Sequence, residues 1–143
     1  MSNQLSKTTL GLALVAATIT GNFVATPTAF AKEHWMKEIG HRWDVQDNGW
    51  KGVWSRRTYP TATSNIYDAT FTHPIHPTFT AEMIITLSVR NEIHIRRTDK
   101  TGTQVGKSCT YKGYLHGDGY TANGTSSCAW SAGPHPWRAT IRK

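Results

Sequence analysis

The groups in this chain able to do chemistry are seven histidines, six tryptophans, and sixteen lysines and arginines set against nine acidic residues. The histidines offer metal ligation. His73 and His76, in His73-Pro74-Ile75-His76-Pro77, present two imidazoles from one turn, and His94, His116 or His135 can add a third ligand from neighbouring strands. They lack a convergent carboxylate and the i, i+4 spacing of helical ligand pairs, so solvated loop histidines are the expectation, and no metal or other cofactor is assigned. Asp68 is expected to pair with Arg56 or Arg57 rather than to act as an acid, because a glycosidase needs two carboxyl groups and Glu82 and Glu92 are expected to face solvent. No nucleophile elbow, phosphate-binding loop, dinucleotide fingerprint or paired-cysteine zinc motif is present, and the chain is not expected to be an enzyme.

Binding chemistry is richer. Arg56-Arg57, Arg90 and Arg96-Arg97 lie in neighbouring β-prone runs, and Arg56, Arg57, Arg96 and Arg97 are expected to form a basic stripe for a polyanion. Aromatic residues beside such a stripe can stack on bases, but the export signal described below removes the protein from nucleic acid. An anionic glycan, lipopolysaccharide or membrane surface remains as the partner. Trp54 and one of Trp130 or Trp137 are expected in the core. Trp50, Trp130 and Trp137, with Tyr120 and Arg138, are expected near strand ends, where they either line a pocket for a small apolar ligand or glycan or pack against the N-terminal segment.

The elements that position these groups begin after a leader. Lys7, the apolar run LGLALVAA at residues 10–17, and Ala29-Phe30-Ala31 together have the three-part pattern of an export signal cut after Ala31. The run is broken by Thr18, Thr20, Gly21 and Asn22, short of the roughly 20 residues that cross a bilayer. Removal of residues 1–31 takes away only Lys7, so the formal charge falls from +7 to +6, and the product is a basic secreted or periplasmic protein of single-domain size. Residues 32–48 are expected to be a short amphipathic helix, on the spacing of Trp35, Ile39 and Trp43, followed by a linker. Residues 49–143 then carry six or seven β-prone runs separated by turn residues, at 50–57, 65–72, 78–89, 92–98, 109–116, 120–130 and 137–142. Among Met83, Ile85, Leu87 and Val89 the apolar residues alternate with Thr86 and Ser88, and Ile93 and Ile95 alternate with His94 and Arg96, so one face of each run is buried.

Asp118-Gly119 is a favoured pair for a two-residue type I′ loop. Centred there, Gly117 faces Tyr120 and the register runs back to set Cys109 opposite Cys128. One disulfide across this hairpin is the simplest reading of two cysteines in an exported chain. That loop also makes 109/128 a hydrogen-bonded pair with wide Cα spacing, so a bulge near Gly113 or Gly124 is the expected adjustment.

Gly52-Val53-Trp54 resembles the Gly-x-Trp that opens the first strand of lipocalin- and avidin-like barrels, the calycins. The resemblance implies that Trp54 plugs one barrel end and that Arg138 or Arg142 packs over it. Residues 118–125, followed by Gly133-Pro134 and Arg138-Ala139-Thr140, are similar to the repeat of cyanobacterial mannan-binding agglutinins, which implies a glycan ligand; the unit occurs once here, against cross-linking. The fold expected is all-β: an antiparallel barrel or sandwich of six to eight strands, with a short N-terminal helix and one disulfide. The expected function is an exported, non-enzymatic binding protein, the alternative being a basic envelope or inhibitor-type protein that engages an acidic macromolecule.

Overall fold

Period-two alternation carries the chain eight times along one wall, and the wall closes on itself. A computed structural model describes residues 37–58 and 64–143. Its strands are β1 (Arg42–Asp47), β2 (Trp50–Arg56), β3 (Ile66–Thr72), β4 (Phe79–Leu87), β5 (Glu92–Asp99), β6 (Ser108–Leu115), β7 (Thr121–Cys128) and β8 (His135–Arg142). Each pairs antiparallel with its sequence neighbours, and β1 closes the barrel on β8 through Trp43 opposite Ile141. The inward rows are mainly apolar and the outward rows mainly polar, the reverse of a membrane-spanning barrel. No helix among the described residues is long and apolar enough to cross a membrane.

Seven strands follow the expected runs closely; the eighth, β1, lies in the segment read as helix and linker. Residues 32–36 of the expected helix, like the export signal at 1–31, lie outside the described residues. Arg42 and Trp43, placed at its end, belong instead to β1, where Trp43, Val45 and Asp47 face inward. A buried aspartate in the third inward position disguises the period, so the barrel begins at Arg42 rather than at Gly49.

Two turns exchange the roles expected of them. Asn48 and Gly49 join β1 to β2 with φ of 47° and 85°, and Asp47 faces Trp50, which is the two-residue loop with both central residues left-handed. The Asp118 hairpin uses four residues. His116 N donates to Thr121 O at 2.9 Å, Gly119 alone is left-handed at 69°, and the Asp118 carboxylate accepts from the amides of Tyr120 and Thr121 at 2.8 and 3.0 Å. These bonds and one from the Thr121 hydroxyl hold the Asp118 carboxyl below its usual range. Loops of two and four residues about the same centre keep the same register, so Cys109 does face Cys128. They reverse the hydrogen-bonding phase, which makes 109/128 a narrow, non-hydrogen-bonded pair. Its Cα–Cα distance of 4.2 Å agrees, the pairing from Cys109 to Leu115 is unbroken, and no bulge is needed.

The barrel is filled. Trp43 and Trp54 stack at 5.7 Å and 11°, and Tyr67, Phe71, Tyr111 and Trp137 surround them, all buried. Gly52 makes this possible, since a Cβ there would lie 2.7 Å from the Trp54 indole nitrogen and 3.1 Å from the Phe71 ring. One end is sealed by residues 37–41: Ile39 is buried, and its carbonyl accepts from the Trp43 indole at 2.6 Å and from the Tyr67 hydroxyl at 3.0 Å.

The Cys109–Cys128 disulfide lies on the inner wall, spanning a separation of 19 residues. Reduction is expected to lower the unfolding free energy by about 3 kcal/mol on the chain-entropy model. A urea midpoint that falls with reductant checks it, and a midpoint indifferent to reductant contradicts it.

Candidate functional site

At the end opposite residues 37–41, the inward row of β5 runs Ile93, Ile95, Arg97, Asp99 and so brings a charge inside. Arg97 is only 8% exposed. Its Nε and Nη2 donate to both oxygens of Asp99 at 2.6 and 2.9 Å, and its Nη1 donates to the Tyr111 hydroxyl at 3.2 Å. Tyr111 in turn donates to Asp47 Oδ2 at 2.6 Å, and Ser126 Oγ donates to Asp47 Oδ1 at 2.8 Å. The guanidinium lies 4.6 Å from the Phe79 ring centre, 4.8 Å from Phe71 and 5.9 Å from Trp130. One network thus ties β1, β5, β6 and β7 together. Burial works against the Arg97 charge, but the Asp99 and Tyr111 contacts outweigh it and raise its pKa. Burial first, and then the Asp47 charge, push the Tyr111 phenol far above the ordinary tyrosine value.

Above this floor opens a cleft of about 410 Å³, within the usual small-ligand range. Trp50, Phe79 and Trp130 form aromatic walls, and His76, Gln104, Ser131 and His135 bring polar groups. Trp50 is held by His73 and His76, whose ring centres lie 4.9 and 5.8 Å from it and 4.5 Å from each other. Gln104 Oε1 and Ser131 Oγ are buried with no hydrogen-bond partner in the protein.

The residues expected to bind ligand separate. Trp50 and Trp130 line the cleft. Trp137 points inward from β8 and is 2% exposed among Trp43 and Tyr111, so it is core. Tyr120 stands exposed in the β6–β7 loop at the sealed end, with the Lys143 ammonium over its ring. Arg138 is on the outer wall and donates to Gln46 at 2.9 and 2.6 Å. Neither Arg138 nor Arg142 covers Trp54; Arg142 pairs with Asp44 outside the barrel at 3.0 Å. The face of Trp54 is taken by Trp43, contributed by the strand that sequence reading missed.

The basic stripe does not form. Arg96 and Arg97 are adjacent on a strand and therefore point to opposite sides, Arg96 to solvent and Arg97 into the barrel. Arg57 is engaged by Asp68, with Nε–Oδ2 at 3.1 Å, and by Glu82 at 3.1 Å; these contacts raise its pKa and lower that of Asp68. The expected pairing of Asp68 is thereby observed, though Glu82 joins it. Arg56 packs on the Tyr67 ring at 5.5 Å and bonds its hydroxyl at 3.2 and 3.1 Å. Of the histidines, His116 bonds Asn123 at the sealed end and His94 faces outward, and no group of three or more metal-ligating side chains occurs among the described residues.

Asp47, Phe79, Asp99, Tyr111, Gln104, Ser126 and Ser131 were not singled out from sequence. One signal was available: the Ile93–Ile95 period continues through Arg97 to Asp99, an opposite-charge pair two apart on a buried face. Comparison of the chain with protein-family models and with curated proteins finds no match. The closed, eight-stranded antiparallel barrel is compatible with a calycin-like architecture.

Arg97→Met leaves buried carboxylates uncompensated and is expected to cost about 3–5 kcal/mol of stability, while Arg97→Met/Asp99→Leu recovers most of the loss; equal midpoints for single and double variants in urea would contradict the pairing. The raised pKa values of Tyr67 and Tyr111 carry a sign. Unfolding lets both phenols ionise near pH 10, so the stability from keeping them neutral is complete below about pH 10 and falls as pH rises beyond it. Their absorbance change in an alkaline titration should coincide with loss of near-UV circular dichroism rather than precede it.

Proposed function

We propose that the protein is an exported, non-enzymatic binding protein that takes a small ligand in the cleft at the open end of its barrel. The supporting observation is the floor of that cleft: a buried guanidinium fixed by Asp99 and Tyr111 beneath aromatic walls from Trp50, Phe79 and Trp130. Such a site offers apolar area and a few polar groups held in place, the usual composition of a small-ligand pocket. Because Trp43, Trp54, Tyr111 and Trp137 fill the barrel, the ligand sits at its mouth and not in a lumen. A disulfide suits a secreted or periplasmic location.

The alternative, a basic surface engaging an acidic macromolecule, has less support. Arg97 faces inward and Arg57 is matched by two carboxylates, so two of the four arginines of the expected stripe are already engaged within the protein.

The mature protein, residues 32–143, is tested by melting temperature and tryptophan fluorescence against small apolar compounds, glycans, lipids and haem-like ligands. A bound ligand is expected to raise the melting temperature and alter the fluorescence. Trp130→Ala should abolish the response and Tyr120→Ala should leave it intact. Silence across the panel, together with salt-sensitive retention on lipopolysaccharide that Arg96→Gln removes, would favour the alternative.

A further inference from the structure

Four buried polar side-chain atoms among the described residues have no hydrogen-bond partner: the indole nitrogens of Trp54 and Trp137, packed in the aromatic core, and two oxygens that belong to cleft residues. Gln104 Oε1, from the β5–β6 loop, and Ser131 Oγ, from the β7–β8 loop, are both buried without a hydrogen-bond partner, and both residues line the same cleft. Buried polar atoms are nearly always paired, and each exception calls for an explanation. Gln104 Oε1 can only accept, so what it lacks is a donor. An apolar ligand would leave that lack in place.

The charges narrow the choice further. The floor holds one guanidinium, Arg97, between two carboxylates: Asp99 directly and Asp47 through Tyr111. An anion entering the cleft meets the excess carboxylate of Asp47 and Asp99, and all three charges are already bonded within the protein, to one another, to Tyr111 and to Ser126, so none is left to pair with a charged ligand. Despite a net charge of +7 for the whole chain, this site favours a neutral ligand. Its walls, Trp50 and Trp130, present electron-rich rings suited to the polarised C–H groups of a saturated ring.

Resting on the binding-protein reading above, we propose that the ligand is a neutral pyranose, free or at the end of a glycan, whose hydroxyls donate to Gln104 Oε1 and Ser131 Oγ while its ring lies against Trp50 and Trp130. Of the agglutinin-like segment, residues 118–125 lie in the Asp118 loop at the sealed end and along β7, while Gly133-Pro134 lies in the loop that carries Ser131.

The test is fluorescence titration and calorimetry of the mature protein with four kinds of probe: neutral methyl pyranosides of gluco, manno and galacto configuration, glucuronate, glucosamine, and the neutral apolar dye N-phenyl-1-naphthylamine. At least one methyl pyranoside is expected to bind, with glucuronate and glucosamine each weaker by roughly tenfold or more. Gln104→Leu and Ser131→Ala should each weaken the pyranoside by roughly tenfold without lowering the melting temperature, since neither atom bonds within the protein. A merely structural role would move the melting temperature instead, and would overturn the assignment, as would an affinity unchanged in Gln104→Leu. Tighter glucuronate or glucosamine overturns neutrality. Saturable binding of the dye with no response to any pyranoside overturns the sugar class but keeps the cleft as a binding site, whereas silence of all four kinds of probe overturns both.

Discussion

A guanidinium that cannot give up its proton and cannot turn outward dictates how one end of this barrel is built. Arg97 falls in phase with Ile93 and Ile95, so the pleat of β5 directs it inside. Because an arginine stays charged in any protein environment, the surrounding strands must supply the compensation. Asp99 does so two residues on, Tyr111 extends the match to Asp47, and Ser126 takes the second oxygen of Asp47. Four strands are thereby committed to one polar network at a depth where a lone charge would be intolerable. Phe71 and Phe79 cover the guanidinium, and the disulfide on the adjoining strands sits in the same cross-strand row, with Cys109 opposite both Arg97 and Cys128.

That commitment separates the ends in character. At the far end, closure is apolar and local: Ile39 enters the barrel, and the Trp43 indole and Tyr67 hydroxyl satisfy the backbone of residues 39 and 40. At the Arg97 end the strands lead into the loops at 73–78, 100–107 and 129–134, and these stand around the floor rather than covering it. The interior between is too narrow for anything but side chains, as an eight-stranded barrel usually is, and the Trp43–Trp54 stack fills it. Recognition therefore belongs to the rim, where aromatic residues and unsatisfied polar atoms meet.

How much of this was legible can be judged from two hairpins. Asp118-Gly119 located the centre of the β6–β7 hairpin, and the pairing of Cys109 with Cys128 followed. The loop itself has four residues, because the Asp118 carboxylate caps the amides of Tyr120 and Thr121 in preference to Asp118 adopting positive φ. The register survived the error because both loops share a centre; the hydrogen-bonding phase did not. Asn48-Gly49, an equally strong turn signal, went unread because the strand before it ends on a buried aspartate. With β1 goes Trp43, the partner of Trp54, and so the sequence reading looked for an arginine over Trp54 where another tryptophan lies.

The sequence by itself determined the all-β class, seven of the eight strands, the disulfide and the pairing of Asp68 with one of Arg56 or Arg57, which the structure resolves to Arg57, since each rests on period-two alternation, turn chemistry or residues brought opposite by neighbouring strands. Only the tertiary structure decided which tryptophans face the cleft and which fill the core, and it alone united Asp47, Arg97, Asp99, Tyr111 and Ser126. Those five come from four strands scattered across the chain, and their meeting depends on how far each strand reaches along the barrel when the sheet closes. Alternation tells a residue's side of the wall; closure of β1 on β8 sets its height and its neighbours.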